Sequence, residues 1–465
     1  MKFRFENFGY FDQAELELGE LTLICGSNNV GKTYLNYAIY GFLERLQFGF
    51  HELVINRSLL KEGMEHGVFW FDLKQFEPKL AESLNDYSDW YTSILDNVFS
   101  SPEGAFEKSK MQCLQEGLLP LDYSEAMEDS LQANGVNIHF QKNPHESRAE
   151  ITVEAEEINS QTVGVLTNFL RRQIFNLFLN KKLRKPFVIT AERTGIALFQ
   201  KELDLSKNVI IEKLTSVKKN NIDAYSIFPS VLAEMLSRYP ISVKNNIDLI
   251  RDLENIRKKK SHFFESEQAN NQQVKQLLTT MTQMLNGSFQ QVNGDTYFVP
   301  RKERKRSKVD PLPMYMSSSS VKSLLLLDAY IKHLASPRDI LIIDEPELNL
   351  HPRNQIWMAR LLAQLVNAGI HVLITTHSDF LVKEFNHLLM LSQSFPDRAK
   401  LMKRFGYSEA EVLKSHQVKA YIATEQHTLE QAVIDERGIQ LDSFDTVILD
   451  QGDVTDAISF ALDSP

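Results

Sequence analysis

Gly26-Ser27-Asn28-Asn29-Val30-Gly31-Lys32-Thr33 lies between the apolar run LTLIC (21–25) and the helically spaced YLNYAIYGFLERLQF (34–48), and it fits G-x-x-x-x-G-K-[ST] without deviation. Strand, glycine-bounded loop and helix in that order are the opening of a P-loop fold. The glycines let the backbone curl so that successive N–H groups point at phosphate oxygens, and the helix that follows adds the positive end of its dipole. The octet is predicted to bind ATP, with Lys32 bridging the β- and γ-phosphates and the Thr33 hydroxyl serving Mg²⁺.

A P-loop needs an acidic partner, and ILIIDEPELNLHP (340–352) supplies the only strong candidate. Four apolar residues carry a strand to its C-terminal edge, where parallel sheets present ligand-binding groups. There Asp344 is predicted to hold Mg²⁺ and Glu345 to orient and deprotonate the attacking water. Successive strand residues face opposite ways, so the two carboxylates can take separate tasks. One strand–helix unit later, HVLITTHSD (371–379) runs into His377, which the same geometry brings to the same edge, within reach of the γ-phosphate or the water.

The rest of the chain is less explicit. KFRFENF and AELELGELTLICG alternate as strands, and VNIHFQ and RAEITVEA are a candidate hairpin. TVGVLTNFLRRQIFNLFLNKKL reads as an amphipathic helix, followed by a short buried strand KPFVIT that stops at AERTG. Residues from about 200 to 285 are helical and charged, which predicts an inserted helical arm; the heptad pattern is too brief for a long coiled coil. FQQVNGDTYFVP has the Asn293-Gly294 pair of a hairpin turn. These readings divide the chain at 1–50, 51–199, 200–285, 286–415 and 416–465.

Together F-x-N-F-G-x-F (5–11), CGSNNVGKT, DEPELNLHP and ITTHSDFL resemble the ABC-class AAA ATPases related to OLD, RecF and SMC heads. The resemblance covers about the first 45 residues and about 310 to 385. It implies an α/β fold: a P-loop ABC-type ATPase head with a mostly parallel sheet, an antiparallel β part and an inserted helical arm. ITTHSD is similar to the His-switch of these proteins. Leu348 to His351 overlie their D-loop, and AERTGI resembles the segment after the strand that bears their Q-loop glutamine. Gln173 and Gln200 are the nearby glutamines, and neither is assigned.

MSSSSVKSLLLLDAYI stands where such heads carry the ABC signature, with Ser317 to Ser320 in place of the usual glycine. Under the resemblance Ser318 and Ser319 of one subunit would close on ATP held by another, giving a homodimer or higher homo-oligomer joined through its heads. The same serines equally suit a helix N-cap. The stretch AYIATEQHTLEQAVIDERGIQLDSFDTVILDQGD lacks the Glu plus Asp-x-Asp set of two-metal nuclease chemistry, so a fused nuclease is not expected.

Bulk properties narrow the function classes. With 51 Lys and Arg against 61 Asp and Glu, the net charge is −10, which excludes a uniformly basic nucleic-acid-coating surface. Nucleic acid contact would have to be local, through RKERKRSK (301–308) or RKKK (257–260). Cys25 and Cys113 read as core or surface thiols of a reducing compartment. No apolar run nears the ~20 residues of a membrane span and no signal-peptide block opens the chain, so a cytoplasmic protein without membrane contact is expected.

Overall resemblance to the stand-alone ATPase subunits of Septu, retron-associated and PARIS phage-defence systems implies a sensor or scaffold controlling a separately encoded effector protein, a nuclease or toxin. The rival is a RecF-like DNA-repair ATPase acting as an ATP-gated DNA clamp. A P-loop scaffold without turnover is disfavoured by the presence of Glu345.

Overall fold

Alternation in Lys2–Phe8 turns Phe3 and Phe5 to one buried face, and Phe3 meets Phe42 edge-on at 5.4 Å. The computed structural model describes residues 1–49, 55–114, 121–133, 135–155, 157–179, 185–199, 239–264, 272–292, 294–301, 310–440, 453–455 and 458. The chain forms two units by its internal contacts. One comprises Met1–Glu17, Gly41–Asp96 and Glu103–Pro186; the other comprises Leu18–Tyr40, Asn97–Pro102 and Phe187–Pro465.

In the first unit Lys2–Phe8 pairs antiparallel with both Phe11–Glu17 and Lys110–Leu114. A four-stranded antiparallel sheet has the order Val68–Asp72, Arg148–Ala155, Val136–Lys142, Met127–Ala133. It contains the hairpin expected from VNIHFQ and RAEITVEA, in the register Val136 opposite Ala155. The amphipathic helix lies at Ser160–Leu179.

The second unit carries a mostly parallel sheet in the order Thr428–Gln431, Val418–Ala423, Leu21–Cys25, His371–Thr376, Ile340–Asp344, Pro186–Ile189. Leu21–Cys25 runs parallel to Val418–Ala423 on one side and to His371–Thr376 on the other, and His371–Thr376 runs parallel to Ile340–Asp344. Thr428–Gln431 pairs antiparallel with Val418–Ala423. Leu21–Cys25 and Ile340–Asp344 are buried at every position, which is why they read as continuous apolar runs rather than as alternation.

Register decides the site. Cys25 stands beside Thr376, and Asp344 stands beside Thr375, so all three strands end together. Each then turns sharply into a helix with a sequence-encoded start: Lys32–Gly49 after the glycine loop, Pro352–Asn367 with Pro at its first turn and His351 accepting from Arg353 N, and Asp379–Met390 with Ser378 accepting from Leu381 N.

The described helices of the segment expected to be an arm, Ile241–Arg251, Leu253–Ile256 and Gln272–Leu285, place Val243, Ile247, Leu253, Leu277 and Met281 in this unit's core. The charged residues of these described helices form the outer face of helices whose apolar stripe is covered. Residues 201–238 of that segment, and 302–308 of the basic stretch, lie outside the described residues, as does Asn293. The flanks of Asn293 form the expected hairpin, Gly287–Val292 with Asp295–Pro300.

A buried ion pair fastens the two helices after the acidic strand and the histidine strand. Arg360 Nε donates to Glu384 Oε1 at 2.6 Å, with the side chains 8% and 4% exposed, and the guanidinium also stacks 4.0 Å from the Tyr407 ring. Arg360→Met is expected to lower unfolding free energy by about 3–5 kcal/mol, since it strands a buried carboxylate. A urea midpoint at neutral pH reads this directly. Burial pushes Glu384 up, but the His387 hydrogen bond and the Arg360 charge more than offset it and hold the carboxyl below its ordinary value of 4.5. The stability it adds is complete above that value and is lost as pH falls through the lower folded-state value.

Candidate functional site

Gly26 shapes the loop: its φ is +145°, and a Cβ there would stand 2.7 Å from the Ala423 carbonyl oxygen. Gly31 is also left-handed, at φ +82°. Through these turns the loop wraps around Lys32, which is 6% exposed and donates to Gly26 O at 3.0 Å and Ser27 O at 2.6 Å. Burial holds the ammonium below its ordinary pKa, against the pull of Glu345 and Asp344.

The two halves of the chain meet at the next residue. Thr33 Oγ1 donates to Asp344 Oδ2 at 2.9 Å across 311 positions of sequence, and Thr375 Oγ1 donates to Asp344 Oδ1. Burial pushes the Asp344 carboxyl up to about 6, although both threonine hydroxyls pull it down. This is a carboxylate short of positive charge, next to a hydroxyl. Both are hard oxygen donors, and the pair fits a divalent cation of the Mg²⁺ kind.

Glu345 follows with φ +48°. A non-glycine residue in the left-handed region costs about 1 kcal/mol and is held only by its surroundings. Its N–H donates to Thr375 Oγ1 at 3.1 Å, and its carboxylate lies 3.6 Å from His377 Nδ1. The contact with His377 holds Glu345 below its ordinary value, and the same contact raises His377. His377 stays 41% exposed, with room for a ligand on its free side.

Three further residues serve this cluster that the motifs did not identify. Glu347, 4% exposed, accepts from Thr376 Oγ1 at 2.7 Å and from the His377 backbone N–H at 2.9 Å, and lies 3.5 Å from His377 Nδ1. Arg193, 2% exposed, donates to the carbonyls of Thr190, Asp344 and Glu345. Glu192 accepts from the Tyr37 hydroxyl at 3.0 Å on the helix that the loop opens. The available signal was the Glu-Arg pair directly after a short apolar strand, and the second glutamate of DEPE.

The predicted site residues Gly26 to Thr33, Asp344, Glu345 and His377 are thus gathered at one sheet edge. Ser318 and Ser319 form a separate feature with no hydrogen bond to that cluster among the described residues. Ser318 caps the helix Ser319–Ala329, its hydroxyl accepting from Val321 N at 3.2 Å, and both serines are exposed. Buried Lys322 braces the turn by donating to Ser317 O at 2.6 Å. Gln173 is taken up elsewhere, donating to Asp129 within the first unit, and Gln200 lies outside the described residues.

A glycine cradle with a buried lysine, a helix opening from it, and an aspartate–glutamate strand end bonded to its threonine define a P-loop nucleoside triphosphatase. The chain belongs to the AAA ATPase domain family, whose model matches residues 1–382. Over 77 residues it is 34% identical to a "Putative ABC transporter ATP-binding protein" of Methanosarcina acetivorans; this stretch is 17% of the chain and 26% of that relative, so the chain spans about a quarter of the relative's length. Among solved structures it is similar to the Smc head domain with an extended coiled coil bound to the C-terminal domain of ScpA, from Pyrococcus furiosus, with 12% identity, 97% and 98% of the two chains covered and a TM-score of 0.29. It is also similar to the SMC head domain from Thermotoga maritima, with 10% identity, 93% and 98% covered and a TM-score of 0.29. Among the described residues no helix is long and apolar enough to cross a membrane.

Proposed function

We propose that this chain is an ATP-driven switch: it binds ATP on Gly26 to Thr33, pairs head to head with a second copy, and hydrolyses ATP to part again. The observation that carries the first step is the bond between Thr33 and Asp344, which joins the phosphate loop to the acidic strand. Lys32 would leave its two loop carbonyls for the β- and γ-phosphates. Thr33 and Asp344 would hold Mg²⁺, which when bound offsets phosphate charge. Glu345 would take the proton of the attacking water, and His377, whose pKa the Glu345 contact raises, would donate to the γ-phosphate from its exposed side.

Pairing is supported by the exposed helix start at Ser318 and Ser319, whose backbone N–H groups and hydroxyls suit a phosphate presented by another molecule. Tyr315 and Met316, 66% and 62% exposed, stand beside it as apolar surface for contact. By analogy with the stand-alone ATPase subunits of phage-defence systems, the pair would govern a separately encoded nuclease or toxin.

Sedimentation of the Glu345→Gln protein tests the pairing. ATP is expected to double its mass, and Ser319→Glu in the same background is expected to abolish the doubling while ATP still binds, because a carboxylate would face phosphate. A Glu345→Gln protein that stays monomeric with ATP bound would end the head-to-head reading. Hydrolysis stimulated by DNA and falling steeply with salt would favour the RecF-like clamp; copurification with a neighbouring gene product favours the defence reading.

A further inference from the structure

Arg193 is the largest fully buried side chain among the described residues. A buried guanidinium is costly, and a well-packed apolar side chain of similar volume is often the more stable choice. Its hydrogen bonds therefore indicate what the charge is kept for. Among the described residues it bonds no carboxylate oxygen directly. Nη1 donates to Thr190 O at 3.1 Å and Asp344 O at 2.8 Å, and Nη2 donates to Glu345 O at 2.6 Å. One planar group thus spans two successive carbonyls at the point where the backbone turns left-handed at Glu345.

Its neighbours extend the same connection. Glu192 accepts from Tyr37 on the helix opened by the phosphate loop, and Thr194 Oγ1 accepts from Asn349 Nδ2 at 3.1 Å in the segment after the acidic pair. Three consecutive residues on one short connection thereby touch the phosphate-loop helix, the acidic turn and the segment beyond it.

We propose that Arg193 is a positioning residue for hydrolysis: by clamping the carbonyls of Asp344 and Glu345 it holds the left-handed turn that aims the Glu345 carboxylate. This rests on the reading of Glu345 as the base that activates water. A strained turn relaxes when its clamp is removed, and the carboxylate then swings from line while the phosphate cradle, built from other residues, is unchanged.

Arg193→Lys separates these effects. Lysine keeps the buried positive charge but offers one nitrogen, which cannot span both carbonyls in the plane a guanidinium uses. Its kcat is expected to fall about a hundredfold, the penalty of a misplaced catalytic group, while the Kd for ATP, measured by calorimetry, stays within about twofold. The parent protein and Lys32→Ala are assayed beside it. Arg193→Ala is expected to regain turnover in added guanidinium and not in added ammonium, which a general loss of packing would not produce. Unchanged kcat in Arg193→Lys would overturn the proposal, as would weakened ATP binding in step with kcat, or failure of Arg193→Lys to fold, which would make the arginine a requirement of the core. No turnover in the parent would instead remove the reading of Glu345 on which this one stands, and this one with it.

Discussion

Lys32→Ala is expected to weaken ATP binding by on the order of 10²–10⁴ while leaving the fold intact. Among the described residues the ammonium donates to the carbonyls of Gly26 and Ser27, which the loop presents inward. Exchanging those for phosphate oxygens creates charge-assisted hydrogen bonds, each worth about 1.5–3 kcal/mol. Losing two of them corresponds to on the order of 10²–10⁴ in affinity. The stability of the free protein should not fall in parallel, because burial already disfavours the charged lysine, as its lowered pKa records. Calorimetric titration together with thermal unfolding separates the two outcomes. Parent-like ATP affinity in Lys32→Ala would mean that the loop is not the phosphate site.

The phosphate loop and the acidic strand were legible because each carries its own context. LTLIC before the glycines and a helical pattern after them specify where the N–H groups point, and ILIID before Glu345 specifies the sheet edge. Local pattern also sufficed for His377, where an apolar strand ends on an imidazole. Pairings that no motif marks were not legible. Val418–Ala423 lies parallel beside the phosphate-loop strand, yet VKAYIA is short, carries a lysine and sits among polar residues, so nothing in its own periodicity names its neighbour. Arg193 acts on backbone carbonyls 151 and 152 positions away, and a carbonyl leaves no trace in a sequence.

The serines illustrate a different difficulty. Ser318 satisfies a helix N-terminus with its own hydroxyl, and an arriving phosphate would use the same N–H groups. Cap and proposed anion site would share one piece of geometry, so sequence could not choose between them. The charged helices between 241 and 285 present a related ambiguity. A solvent-facing stripe of Lys, Arg and Asp looks the same on a projecting arm as on a helix whose other stripe is buried, and here Ile247, Ile250 and Leu277 are buried.

Glu345→Gln should give the other large effect, and of the opposite kind: ATP retained and hydrolysis lost. The amide matches the carboxylate in size, so the turn keeps its supports, with the backbone N–H on Thr375 Oγ1 and the carbonyl on Arg193. What disappears is the ability to accept a proton, together with the negative charge opposite His377. A positioned general base contributes about 10²–10⁴ to the rate, and single-turnover hydrolysis should slow by that factor with ATP affinity nearly unchanged. The adjacent glutamate does not substitute for it: Glu347 is buried and committed through Oε1 to Thr376 and the His377 N–H. Glu347→Gln keeps an acceptor oxygen for both bonds and is expected to cost far less than Glu345→Gln. If the two variants lost activity equally, or if Glu345→Gln turned over at the parent rate, the proton acceptor would have to be sought elsewhere on this sheet edge.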